Sequence, residues 1–200
     1  MSDARRFAPA TQRNREPILA VLRRVLPAEG VLLEVASGTG EHAAFFAAAL
    51  PRLIIQPSDA EAQNLASIAA WRDHAGLANL RAPLALDATV ESWPVERADA
   101  VLCVNMIHIA PWEACVGLVA GAARLLLPGH PLVLYGPFRR GGRHTSPSNE
   151  AFDASLRAED PAWGVRDVDE VDVVAAAAGL QQSELIDMPS NNLCVVLRRR

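Results

Sequence analysis

Lysine is missing. All nineteen basic residues of this 200-residue chain are arginine, which excludes Schiff-base chemistry, a phosphate-loop lysine and the Tyr/Lys pair of short-chain dehydrogenases. Cysteine is scarce as well. Cys103, Cys115 and Cys194 form no C-x-x-C pair, and Cys103 and Cys194 fall in apolar runs that predict buried, reduced thiols rather than ligands or nucleophiles. The five histidines do not pair with Cys, Asp or Glu at ligand spacing, so no metal site is expected. No apolar run approaches about twenty residues, and "MSDARRFAPA" lacks the apolar stretch of a signal peptide. A cytoplasmic protein with no membrane partner is expected. A formal net charge of −4 and a pI near 5.7 argue against nucleic acid as a partner.

What the chain does have is alternation. "PILAVLRRVL" (17–26) carries apolar residues at helical spacing, with Pro17 suiting a first turn. "GVLLEV", "LIIQ", "LRAPLAL", "DAVLCV" and "PLVLYG" read as short buried strands, and the segments between them read as helices closed by Pro51, Gly76 and the Pro128–Gly129 pair. "DVDEVDVVAAAAG" gives a last helix with an acidic start. This pattern predicts an α/β fold, a three-layer Rossmann-like sheet of about seven strands with helices on both faces. "LQQSELIDM" and "NLCVVLRR" are joined only by "PSN", a connection too short for a parallel crossover, so the last strand is expected to run antiparallel. No repeat or long linker divides residues 1–200, and one domain is expected.

The join between the first strand and its helix, "EVASGTGEHA", sets Gly38 and Gly40 where the backbone can approach a ligand and a helix N-terminus offers free N–H groups. Gly38-x-Gly40-x-x-Ala43 also matches a dinucleotide fingerprint with alanine last, a weak signal alone. Three acids strengthen it. Glu34 sits inside the first strand just before the bend, Asp59 follows the second and Asp87 the third, so all three are expected to line the crevice at the carboxyl ends of the strands. Asp59 suits ribose hydroxyls, Asp87 an adenine amino group and Glu34 an ammonium. With no basic residue in the bend, a cationic nucleoside such as S-adenosylmethionine suits this crevice better than a dinucleotide.

"VLLEVASGTGEH", "QPSD", "ALDAT" and "VNMIHIAPW" resemble the successive binding motifs of class I S-adenosylmethionine-dependent methyltransferases. Together with "FAPATQRNREPIL", "YGPFRRGGRHTSPSN", "DPAWGVRD" and "MPSNNL", they make the chain similar over nearly its whole length to the domain-of-unknown-function 938 family, related to methyltransferase-like protein 26. The resemblance implies S-adenosylmethionine as cofactor and S-adenosylhomocysteine as product. It implies that Glu34, Ala36, Ser37, Gly38 and Gly40 cradle the methionine portion, Asp59 holds the ribose, and Asp87 with Ala88 holds the adenine. Asn105 and Met106 would line the sulfonium pocket. His42 either caps the helix or faces the cofactor.

On the acceptor side the expectations are an N-terminal lid or helix over 1–27 and a loop and helix over 136–166. An oxygen or sulfur atom of a small molecule is the expected methyl acceptor. His108 is the leading base candidate, against a reading in which it bonds backbone. His144 and Tyr135 are further catalytic candidates, although Tyr135 equally suits a core position with a satisfied hydroxyl. Trp112 is expected to pack the acceptor. Arg13, Asn14 and Arg15, with Arg143 across the crevice, are expected to bind an anionic group on it. Two other readings stand beside this one. An NAD-dependent oxidoreductase would share the glycine bend and Asp59, and a non-catalytic binding protein would share the fold. Association is expected to be monomeric or homodimeric.

Overall fold

The computed structural model describes residues 4–200; the first three residues of the expected 1–27 lid lie outside them. Along the chain come α1 (Pro9–Val25), β1 (Gly30–Val35), α2 (Glu41–Ala49), β2 (Leu53–Asp59), α3 (Ala62–Ala75), β3 (Leu84–Ala85) and β4 (Ala100–Val104). After these follow α4 (Trp112–Leu125), β5 (Pro131–Gly136), β6 (Arg139–Arg140), β7 (Arg143–His144), α5 (Pro147–Glu159), α6 (Val168–Ala177), β8 (Leu180–Met188) and β9 (Asn192–Arg199). Seven strands form one sheet in the order β3-β2-β1-β4-β5-β9-β8, and β6 with β7 makes a separate hairpin.

Strands β1 to β5 pair in parallel, as expected for runs joined by helices. The last strand runs antiparallel, also as expected. It inserts between β5 and β8, with Leu134 opposite Val195, instead of adding at the edge. Because the central strands are covered on both faces, each reads as a continuous apolar run. Alternate residues divide between two cores. Leu33, Val101, Leu132 and Val195 pack under α4 and α6, whereas Leu32, Leu102, Val133 and Val196 pack under α1 and α2. All three cysteines are buried and unpaired, and burial pushes the Cys115 and Cys194 thiols up to about 12 and that of Cys103 upward as well.

Two boundaries differ from expectation. Helix α1 begins at Pro9 and carries Pro17 inside it. A proline there removes one N–H from the ladder without stopping the helix, whose buried stripe (Thr11, Asn14, Ile18, Leu22) holds it on the sheet. The third strand shrinks to two residues, with Leu80 bridging to Ile55 ahead of it. It is a sheet edge, and Pro83, immediately ahead of it, cannot donate to a ladder.

Among the described residues, no helix is long and apolar enough to cross a membrane, and no group of three or more His, Cys, Asp or Glu side chains could hold a metal ion.

Candidate functional site

The glycine bend sits at the carboxyl end of β1. Ala36, Gly38 and Gly40 all adopt positive φ (57°, 58° and 90°). A Cβ on Gly40 would lie 2.8 Å from the Ile68 Cα, so that residue must be glycine for α2 to rest on α3. The bend is tied down from the next strand. The Gly38 N–H donates to Asp59 Oδ2 at 2.8 Å, the Ser37 N–H to the Ser58 carbonyl at 2.8 Å, and the Ser58 hydroxyl to the Glu34 carbonyl at 2.8 Å. Asp59 Oδ1 also accepts from the Glu61 N–H and the Asn64 amide, both at 3.0 Å.

Glu34, Ala36, Ser37, Gly38, Asp59, Asp87, Ala88, Asn105 and Met106 line one cavity of about 640 Å³, and His42 borders it. Gly40 stands behind as the cap of α2. The three acids therefore meet at one opening, at the ends of β1, β2 and β3. Glu34 is 2% exposed and its Oε2 has no hydrogen-bond partner. Burial pushes its carboxyl up to about 7, against a hydrogen bond from Ser37 and with help from the negative charge of Asp59. Asp87 is exposed, and its Oδ1 accepts from the Thr89 N–H and hydroxyl at 2.8 and 2.7 Å. His42 is buried, stacks on Phe46 and meets Asn14 Oδ1 through Nε2 at 2.8 Å. Burial, with the Arg15 charge, pushes its pKa down to about 4, so the ring is neutral and Nε2 donates to that oxygen.

A second cavity of about 550 Å³ opens beside the first, and Ala10, Asn14, Asn105 and Ile109 belong to both. Arg13 and Tyr135 line it together with Asn149, Phe152 and Asn192. Asn105 holds the wall between the cavities in a left-handed conformation (φ 63°), with its N–H on the Tyr135 carbonyl at 2.8 Å. Burial raises the Tyr135 pKa, opposed by the side-chain amides of Asn14 and Asn192 and by the Arg13 charge.

Several expected acceptor residues lie elsewhere. His108 is fully buried in the turn after β4, edge-on to Phe138, with Nδ1 accepting the Arg166 N–H at 3.1 Å. It borders neither cavity, and burial with the Arg166 charge pushes its pKa down to about 3. The His108 ring thus bonds backbone and lines neither cavity. His144 lies in the β6–β7 hairpin with Nε2 3.6 Å from Asp153, and Arg143 is exposed in the same hairpin, both away from the cavities. The Arg15 guanidinium stacks over Phe45 at 4.8 Å instead of reaching the crevice. Trp112 lies under Arg166 at 5.6 Å, and it is Trp163 that contributes a tryptophan to the wall of the first cavity.

A family model described as "Protein of unknown function (DUF938)" matches residues 5–199. The chain belongs to the DUF938 family. Its fold recurs in solved methyltransferases. The mitomycin 7-O-methyltransferase MmcR superposes with a TM-score of 0.81 at 16% identity, covering 96% of the DUF938 chain and 54% of its own. An O-methyltransferase family protein from Burkholderia thailandensis gives 0.80 at 17%, covering 95% and 57%. Human N-acetylserotonin methyltransferase, solved in complex with SAM, gives 0.77 at 12%, covering 95% and 52%. The DUF938 chain thus spans about half the length of these proteins, and at such identities the likeness establishes the shared fold.

Sequence reasoning about the DUF938 chain did not find Thr11, Glu61, Asn64 or Trp163 on the first cavity, nor Asn149, Phe152 or Asn192 on the second. Asn149 and Phe152 come from α5, and Asn192 is the first residue of β9. The expected acceptor-side segment 136–166 contains Asn149 and Phe152, and the "PSNN" turn, rich in short polar residues, is a loop signal beside Asn192.

Proposed function

We propose that this chain transfers the methyl group of S-adenosylmethionine to an oxygen or sulfur atom of a small-molecule acceptor. The observation that carries this reading is the convergence of Glu34, Asp59 and Asp87 on one cavity beside the glycine bend, with a buried Glu34 oxygen left without a partner. An unpaired buried carboxyl oxygen costs stability unless a donor arrives from outside, and a cationic adenosine derivative brings one. An NAD-type pyrophosphate would put negative charge beside these acids.

The residues fit such a cofactor in a definite order. Glu34, with the Ala36–Gly40 bend, would receive the ammonium of the methionine portion. Asp59 keeps lone pairs for ribose hydroxyls, since a carboxylate offers about four acceptor sites and three are taken. Asp87, with one oxygen on Thr89, would face the adenine beside Ala88. Asn105 and Met106 would border the sulfonium, where the two cavities meet. When bound, the cofactor supplies an electrophilic methyl group on a cationic sulfur. The protein's part is to hold the acceptor atom within about 3–3.5 Å of that carbon, in line, and to exclude water. Tyr135 and Arg13 would bind the acceptor on the far side of Asn105.

Calorimetry with S-adenosylmethionine, S-adenosylhomocysteine and NAD tests the cofactor, and labelled S-adenosylmethionine with thiols, phenols and carboxylates tests transfer. Binding of the two sulfur compounds and label in a small molecule are expected. NAD binding without any response to S-adenosylmethionine would overturn the reading.

A further inference from the structure

We infer that the cavity at Tyr135 takes an amphipathic acceptor whose nucleophilic atom is already an anion at neutral pH, with Arg13 as its counter-charge. The inference rests on the methyl-transfer reading and narrows it.

Charge and donors come first. Arg13, exposed at the rim, faces no carboxylate among the residues lining this cavity. Tyr135, 4% exposed, is approached by the amides of Asn14 and Asn192. Asn14 Oδ1 meets His42, which leaves the Asn14 N–H groups available to donate. A phenol can both accept and donate, so the Tyr135 O–H is available to a ligand in the cavity it lines. Burial keeps the phenol protonated at neutral pH. Two donors, Arg13 and Tyr135, converge on one space, which is the recognition chemistry of an anion.

The second point is proton balance. No Asp, Glu, His or Cys lines this cavity among the described residues. His108 and His144 are turned away, and the Glu34 and Asp59 carboxylates belong to the other side of Asn105. A neutral hydroxyl or thiol would have to hand its proton to a base as the new bond forms. An anionic oxygen or sulfur does not. It donates its lone pair to the methyl carbon, the carbon–sulfonium bond breaks, and the bonding pair stays on the departing sulfur. One negative and one positive charge are consumed, both products are neutral at those atoms, and no proton moves. The remaining lining supplies an apolar grip, since Ile109 and Phe152, 43% and 41% exposed, stand at the opening.

Benzoate, benzenethiol, phenol and benzyl alcohol share a ring and differ in the acidity of the reacting group. Calorimetry of the protein with S-adenosylhomocysteine present should show benzoate binding at least about tenfold tighter than benzyl alcohol, and Arg13→Ala should erase most of that preference while leaving S-adenosylhomocysteine affinity within about twofold. Arg13→Lys should restore part of it. With S-adenosylmethionine, benzenethiol should be methylated faster than phenol and benzyl alcohol not measurably. Across ring-substituted benzenethiols the rising limb of kcat/KM with pH should follow the pKa of each thiol. Equal binding of benzoate and benzyl alcohol, an unchanged Arg13→Ala, or a limb fixed at one pH for every acceptor would each overturn the inference. Absence of S-adenosylhomocysteine binding would instead remove the cofactor reading, and the benzoate preference of the protein alone would still decide this one.

Discussion

Glu34 is a carboxyl group that the fold holds at about 7, well above its ordinary 4.5. Its folded pKa exceeds its unfolded one, so the protein is free of the cost of burying its charge below the unfolded value, and stability is lost as pH rises through about 7. The full effect is about 3 kcal/mol. Two outcomes follow from the same group. In urea titrations without ligand, Glu34→Gln should gain on the wild type as pH climbs from about 5 to about 8. At about pH 6, S-adenosylmethionine binding should expel close to one proton, measured by calorimetry in buffers of differing ionisation heat, and Glu34→Gln should abolish the release and weaken binding about ten- to hundredfold. His108 makes the opposite case. His108→Gln should lower stability by about 1–3 kcal/mol in thermal melts, through the lost Arg166 contact, while the pH dependence of kcat/KM keeps its shape. The sequence put His108 three residues beyond Asn105 but not on which side; a single tight turn sends its ring against Phe138 and the Arg166 backbone, and no local pattern reports that.

Among the elements, the β1–α2 bend concentrates strain and close approach. Gly38 has open space around its missing Cβ, whereas Gly40 abuts the Ile68 backbone. Gly38→Ala should therefore cost about 1 kcal/mol, the ordinary penalty of a left-handed alanine, and Gly40→Ala clearly more, about 2–3 kcal/mol, with chemical denaturation giving the comparison. Elements of this kind were legible because their determinants are local. "GVLLEV" and "PLVLYG" coincide with β1 and β5, and the glycines and three acids fall at one opening because parallel strands all end on the same side. Legibility ended where long-range contacts decide. The early start of α1, with Pro17 tolerated inside, depends on its fit against the sheet. Insertion of β9 between β5 and β8 depends on pairing across more than fifty residues. The β6–β7 hairpin could have been read from "RRGGRH", whose two central glycines are a hairpin turn signal.

For the molecule as a whole, ligand and fold are coupled by mass action. S-adenosylmethionine at about a hundred times its dissociation constant should add about 2.7 kcal/mol, raising the melting temperature by about 5–10 °C for a chain of this size. Glu34→Gln at the same ligand concentration should keep only about 0.4–1.4 kcal/mol of that response. Anion recognition across Asn105 should add a smaller increment of its own with benzoate. The N-terminal segment belongs to the same coupled unit, because the Trp71 indole N–H donates to the Arg6 carbonyl at 3.0 Å and the Ala8 N–H to the Glu41 carboxylate, fastening the chain ahead of α1 across α2 and α3.

The three sequestered thiols also lend the protein a clock. Each is tucked into β4, α4 or β9 and held in its unreactive protonated form, so iodoacetamide can reach it only when the interior comes apart. The alkylation rate thereby reports global opening, and any small molecule that slows it by binding the folded state shows itself in the count.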